Sequence, residues 1–369
     1  MKFSFDRDAM IKEVSIAQEV ITTKLPDFIL SNILLNAENN TLTIKATNTS
    51  ANFITTLPVD IQEEGITTIH CDKFMNILSS LPAGEVEFAQ DPDDIKVTIR
   101  PVSKKIKFQL KSIGSEKFPD IAVSQTVPFF EVPSKELKEM IQQTVFAVSS
   151  DPARAFLTGV YFTKDQDNLI MVATDGRRLS YASKPIAQNI LDFTPAVVPV
   201  KILNCILKNA SDEGSVMLAV VDRMIFFKFA NYEFSSSLLE VEFPNYKRVI
   251  PENQSFSFQV LKSDIDQALR RTALMVDKKS CRILFKIQSG VLQLVSPESE
   301  FGTADEEIPC RYDGNPVTIA INYHYIEDPL KVMNVENIVF EFTEPSKAVT
   351  LHAEPKGDYF HIIMPMNVE

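Results

Sequence analysis

The sequence predicts an α+β protein that uses one domain fold three times, each copy combining antiparallel sheets with two helices. Three observations predict it. The chain has 369 residues, too many for one hydrophobic core, since cores rarely grow past about 250 residues. Three of its segments repeat one another at offsets of 127 and 128 residues. Short alternating strands outnumber helical stretches throughout, which marks antiparallel α+β domains.

Each copy opens alike, with "FSFDRDAMIKEVSIAQEVI" from Phe3, "FEVPSKELKEMIQQTVFAV" from Phe130 and "FQVLKSDIDQALRRTALMV" from Phe258. An alternating strand passes into a helix whose apolar residues fall at 3–4 spacing. Met10, Leu137 and Ile265 correspond, as do Val14, Ile141 and Leu269. Equivalent strands follow in "TLTIKATN" (41–48), "NLIMVATD" (168–175) and "VLQLVSPE" (291–298). The first helices are expected at 7–24, 134–150 and 262–279, the second at 72–81, 200–209 and 322–331. "GEVEFA", "GSVMLAV" and "ENIVFEF" then restart the strands. Turn chemistry in "TVP" and "IPENQ" sets domains at 1–127, 128–250 and 251–369. In "MVATDGRRLSYA" (171–182), Asp175-Gly176 lies between alternating runs. That predicts a tight hairpin turn, because glycine tolerates positive φ.

Threefold repetition suggests a curved array. A domain of about 120 residues is roughly 35 Å across; three in a triangle leave a gap of only about 5 Å, six in a hexagon a hole of about 35 Å. A duplex roughly 20 Å wide fits the second and not the first. The net charge of −12 opposes nucleic-acid binding if charge is spread evenly. It is not even: the six helix candidates hold 14 basic and 11 acidic side chains, leaving −15 for the remainder. Basic helical faces inside and acidic sheets outside fit that partition. No zinc finger, helix-turn-helix or RNP pattern is present, so DNA contact should be phosphate-directed.

Catalytic and cofactor chemistry is missing. Neither G-x-G-x-x-G nor G-x-x-x-x-G-K-[ST] occurs, and glycine is scarce at 10 residues. Four separated cysteines without C-x-x-C read as reduced thiols. The histidines are scattered, and His70-Cys71, adjacent on an expected strand, point to opposite faces and make no metal pair. No cofactor or metal is expected. No apolar run reaches the roughly 20 residues of a membrane span, and "MKFSFDRDAM" lacks a signal-peptide core, so a cytosolic location is expected.

"MKFSFDRD", "ATDGRRLS", "FPNYKRVIP" (243–251) and "IIMPM" (362–366) occur in the order and spacing of one family. Over its whole length the chain resembles the bacterial DNA polymerase III beta subunit, the sliding clamps. The resemblance implies three DNA-clamp domains, with antiparallel sheets outside and helices lining a ring. It implies a head-to-tail homodimer around duplex DNA, no catalysis, and loading by an ATP-driven clamp loader. The polymerase III alpha subunit and other replication and repair proteins with a clamp-binding motif would dock in a hydrophobic pocket. By resemblance that pocket comprises Leu157, Thr174, Gly176, Arg177, Arg178, Leu179, Pro244, Arg248 and Val249. Asn322, Tyr325, Ile362, Met364, Pro365 and Met366 complete it. Methionines give an adaptable apolar surface, and arginines hold polar or acidic peptide groups. Arg177 stands where the family often has histidine, and the tail ends "NVE" rather than in a basic-apolar pair.

Lys24, Arg154 and Lys201 match DNA-facing positions and sit at ends of helix candidates. Phe108 and Leu110 match apolar dimer-interface positions facing Leu274 and Met275. "KKIKFQLK" (104–111) reads as a half-exposed edge strand whose Lys105 and Lys107 pair with Glu306 and Glu307. A different class of function stays open beside the clamp: an enzyme in the cleft between domains two and three, with Asp175 and Arg178 as acid and anion holder.

Overall fold

The computed structural model describes residues 1–21, 28–90, 95–121, 127–186 and 192–368. Six α-helices occur among them: α1 (Arg7–Val20), α2 (Cys71–Ser80), α3 (Ser134–Thr144), α4 (Val200–Asn209), α5 (Lys262–Ala273) and α6 (His324–Val332). All six fall where the apolar periodicity puts them. Asp6 caps α1, its carboxylate accepting from the Ala9 amide at 2.9 Å. The equivalent residues Phe3, Phe130 and Phe258, then Met10, Leu137 and Ile265, then Val14, Ile141 and Leu269, are all buried.

The helices are shorter than expected in places. α3 gives way to a 3₁₀ turn at Val145–Ala147, and α5 stops at Ala273, with Lys278 and Lys279 beyond it. On these bounds the helices carry eleven basic against ten acidic side chains. The basic surplus inferred from the sequence therefore nearly vanishes. His70 ends a strand and Cys71 starts α2, so the two do not share a strand.

The chain forms two compact units, residues 1–135 with 201–238, and 136–200 with 239–369. The first unit contains a 13-stranded antiparallel sheet, in which Ala51–Pro58 pairs with Tyr232–Ser237. The second contains an eight-stranded sheet, in which Arg178–Pro185 pairs with Tyr359–Ile363, and a four-stranded sheet edged by Asp305–Pro309. The middle repeat thus gives strands to both units.

Within the first unit, polar contacts accompany the seam at residues 51–58 and 232–237. Buried Glu13 on α1 accepts from the Thr55 hydroxyl (2.8 Å) and the Tyr232 phenol (3.1 Å). The Lys208 ammonium and the Asn209 amide of α4 both donate to Glu19. Cys71, Cys205 and Cys310 are buried and free, and Cys281 is partly exposed and free.

Candidate functional site

An apolar cavity of about 450 Å³ opens in the second unit. Four stretches line it: Phe156 and Leu157; Thr174 with Gly176 to Leu179; Pro244, Asn245, Tyr246 and Val249; and Ile362 with Met364. Its floor is a packed cluster of Ile170, Val172, Leu179, Tyr246 and Ile362. Tyr246 is 8% exposed, and burial pushes its phenol up to about 12. Phe156, Val249 and Met364 stay exposed at 38%, 55% and 45%. Large apolar side chains left half in water at one rim favour an apolar ligand.

The Asp175-Gly176 stretch is the hairpin turn the sequence predicts, with a loop wider than two residues. Thr174 pairs with Leu179, leaving four residues between them. Asp175 explains the wider loop. Its Oδ1 accepts from the amides of Arg177 (2.8 Å) and Arg178 (3.1 Å), an Asx-type turn. Gly176 takes φ +86°, and the Thr174 hydroxyl accepts from its amide at 3.0 Å and donates to the Arg178 carbonyl at 2.6 Å.

A second, polar cavity of about 570 Å³ shares Arg177 and Arg178 with the first and adds Phe146, Ser149, Ser150, Arg154, Asp175 and Tyr325. The two arginines differ. Arg178 is 10% exposed and donates to Asp175 Oδ2 (3.1 Å), Asp328 Oδ2 (2.7 Å) and the Phe146 carbonyl (2.7 Å). Its guanidinium lies 4.8 Å from the Tyr325 ring centroid and 5.5 Å from that of Phe146. Arg178 is thus a brace joining the hairpin to α6 and to the end of α3, with its donors turned inward. Asp175 and Arg178 are each engaged within the fold, with one another and with Asp328, the Phe146 carbonyl and two turn amides, so neither stands free as the acid or anion holder of an enzyme. Arg177, by contrast, is exposed.

Behind the brace, His361 Nδ1 lies 2.6 Å from the Ser180 hydroxyl, and burial next to Arg178 pushes the imidazole down to about 3.

Other expected pocket residues lie elsewhere. Tyr325 lines only the polar cavity. Arg248 sits on the 3₁₀ turn Tyr246–Val249, where residues three apart share a face. Tyr246 and Val249 therefore face the cavity while Arg248 is exposed. Asn322 ends the strand before α6, its Oδ1 accepting from the His324 amide at 3.0 Å. Met366 is drawn off by a bond from its amide to the Ala320 carbonyl at 2.8 Å, and Pro365, just before it, is not in the lining. Phe156, Asn245 and Tyr246 were not anticipated; the aromatic in "FPNYKRV" was the available signal for Tyr246.

The expected DNA contacts separate too. Lys24 lies outside the described residues. Arg154 is not at a helix end of α3 but in the 3₁₀ segment Pro152–Leu157, donating to Asp151 Oδ2 (3.2 Å) and the Asp175 carbonyl (2.7 Å). Lys201 donates to the Val20 carbonyl at the end of α1 at 2.6 Å, and burial pushes its ammonium pKa down.

Of the expected interface, Leu274 is 80% exposed, Met275 half-buried, and Phe108 and Leu110 half-buried on the strand Phe108–Ile113. That strand starts at Phe108, so Lys105 and Lys107 precede it in bend and loop rather than alternating along it. Glu306 is already engaged within the chain: Arg271 Nε donates to its Oε2 at 2.8 Å, which holds the carboxyl below its ordinary value. Glu307 remains exposed.

Comparison with known proteins follows the same three parts. Models of the N-terminal, central and C-terminal domains of the DNA polymerase III beta subunit match residues 1–122, 131–245 and 247–367. The Beta sliding clamp of Treponema pallidum is 44% identical over 373 residues, covering 100% of both chains. The sliding-clamp structure from Bacillus subtilis superimposes with a TM-score of 0.95 at 23% identity, covering 100% of both chains. That of Caulobacter crescentus pol III beta gives 0.92 at 26%, again over 100% of both. On these matches the chain belongs to the DNA polymerase III beta subunit family, the DNA sliding clamps.

Proposed function

We propose that the chain works as a head-to-tail homodimeric ring around duplex DNA and tethers a replicative polymerase through the apolar cavity. Other partners with a clamp-binding motif, and a separate clamp loader, would dock at the same cavity. The ring has three domains per copy, bounded near residues 127 and 250, and carries no catalysis of its own.

The observation that carries ring closure is a strand joint made twice within the chain. Thr41 pairs with Pro58, Asn168 with Pro185 and Val291 with Pro309, which makes the three prolines equivalent. Counting back five residues from each makes Phe53, Ser180 and Ala304 equivalent. Along the other strand, ladders from Phe3, Phe130 and Phe258 lead through the sheet to Phe108, Phe234 and His361. In the chain Phe53 pairs with Phe234, and Ser180 with His361. The third pairing, Ala304 with Phe108, is not made within one chain. Asp305–Pro309 is an edge strand, and Phe108–Lys111 is paired on one side only. A second copy supplies the missing strand to each, under twofold symmetry.

Retention on DNA tests this. Once placed on DNA by a clamp loader with ATP, the chain should stay on closed circular duplex and leave linear duplex of the same sequence, and it should have a native mass of twice the chain. Equal retention on both, or a monomeric mass, would overturn the reading.

A further inference from the structure

We infer that Asn52 and Ser235 determine specificity by closing the first joint of the sheet to apolar peptide side chains; this rests on the peptide-docking reading above. The chain builds one hairpin twice, at 47–52 and at 174–179. Thr47 pairs with Asn52 as Thr174 pairs with Leu179. Asn48 Oδ1 accepts from the amides of Ser50 (3.0 Å) and Ala51 (2.7 Å), as Asp175 Oδ1 does from Arg177 and Arg178. Thr49 holds φ +76° where Gly176 holds +86°. In both hairpins the amide of that residue donates to the threonine hydroxyl two residues before it, at 3.0 Å. The Ser237 amide donates to the Ser50 carbonyl at 2.7 Å, the bond that Met364 makes to Arg177 at the second joint.

The backbone is thus repeated and the lining is not. On the face that carries the cavity at the second joint, Asn52 stands for Leu179, Ser235 for Ile362 and Ser237 for Met364. An apolar cluster of Leu34, Phe118 and Ile121 does form beside the first joint. The cluster under the cavity runs on into Leu179 and Ile362, whereas here the apolar surface gives way to a polar chain. The Thr47 hydroxyl donates to Asn52 Oδ1 at 2.6 Å, and the Asn52 amide donates to the Ser235 hydroxyl at 3.0 Å. All three residues are buried. An apolar peptide side chain laid on this joint meets an amide and hydroxyls instead of two branched aliphatic side chains and a methionine, so the contact that favours docking at the second joint is missing. Moving Asn52 aside to admit it would leave a buried amide without its partners. Discrimination between two like-built joints then comes from what the first one excludes.

The test counts peptides bound to the full chain. A short synthetic peptide ending in Leu-Phe is titrated calorimetrically, and the unaltered chain should take about one per chain. Asn52→Leu with Ser235→Ile should fold, because Leu179 and Ile362 hold the same backbone positions at the second joint. That double variant should take about two peptides per chain. Deleting residues 364–369 should abolish binding in the unaltered chain and leave about one peptide bound in the double variant. A folded double variant that still takes a single peptide overturns the inference, and so does an unaltered chain that takes two. A double variant that melts without a cooperative transition also overturns it, since the polar pair would then serve the packing of the joint rather than its selectivity. Failure of the peptide to bind the unaltered chain overturns the docking reading, and the inference with it.

Discussion

Replacing Arg178 by alanine separates a structural brace from a ligand contact. The side chain is 10% exposed, and its carboxylate partners Asp175 and Asp328 are 16% and 24% exposed. Removing the cation leaves both acids partly buried without it and frees the Phe146 carbonyl. Breaking a buried pair by deleting one partner costs about 3–5 kcal/mol. The residual exposure of the acids argues for about 3 kcal/mol, the lower end of that range. For a unit of this size that lowers the melting temperature by roughly 6–12 °C. Arg177→Ala, at an exposed position, should move it by less than about 2 °C. Differential scanning calorimetry on both variants reads the contrast. Asp328→Ala and the double variant complete a cycle, in which a coupling of at least about 1 kcal/mol is expected. If Arg178→Ala melted with the unaltered chain while peptide affinity disappeared, Arg178 would be a ligand contact, and the division of labour between the two arginines would be wrong.

Four further outcomes follow. Deleting residues 364–369 should leave a folded dimer that no longer binds peptide. Ile362 and Ile363 stay in the core, and the tail is anchored by bonds from Met364 to Arg177, Met366 to Ala320 and Arg282 to Asn367; an unfolded product in circular dichroism would mean the tail is core instead. Phe108→Cys with Ala304→Cys should give an interchain disulfide on oxidation, read as doubled mass on non-reducing gels, whereas Leu274→Ala with Met275→Ala should give folded monomers in sedimentation, since each apolar side chain buried at the interface contributes about 1.5–3 kcal/mol. His361 stays neutral when folded and takes a proton when unfolded, so its contribution is full above pH 6.5 and is lost as pH falls towards about 3. His361→Gln should flatten the acid limb of urea unfolding by up to about 1.4 kcal/mol per pH unit, and an unchanged limb would contradict this.

The parts legible in the sequence are those fixed by local periodicity. Met10, Leu137 and Ile265 sit at one position of a 3.6-residue repeat, and burying that position is a requirement their neighbours already state. What stayed illegible depends on partners far along the chain. Nothing in "DGRRL" says which arginine turns inward, because the acid that draws Arg178 in is Asp328, 150 residues on. Nor does "FPNYKRV" say which side chains line the cavity: the 3₁₀ turn Tyr246–Val249 turns Tyr246 and Val249 to it and leaves Arg248 exposed. Glu306 reads as a free acid until Arg271, one helix away, is seen to hold it.

The repeat places different side chains at equivalent joints of the sheet. The equivalent hairpins lead into Ala51–Pro58, Arg178–Pro185 and Asp305–Pro309; the first joins Tyr232–Ser237 and the second Tyr359–Ile363, while the third is the edge assigned above to the proposed second copy. At the first joint, Phe53 and Phe234 meet with ring centroids 4.9 Å apart and close the space with aromatic packing. At the second, the same positions hold Ser180 and His361, 2.6 Å apart and fully buried, and Arg178, two residues before Ser180, donates to Asp328. The hairpin braced there carries Gly176 and Arg177 outward, and Met364 continues the strand beside them through its amide bond to the Arg177 carbonyl at 2.8 Å. The polar pair and the apolar cavity lie on opposite faces of this joint, because Ser180 and His361 alternate along their strands with Leu179 and Ile362, which line the cavity.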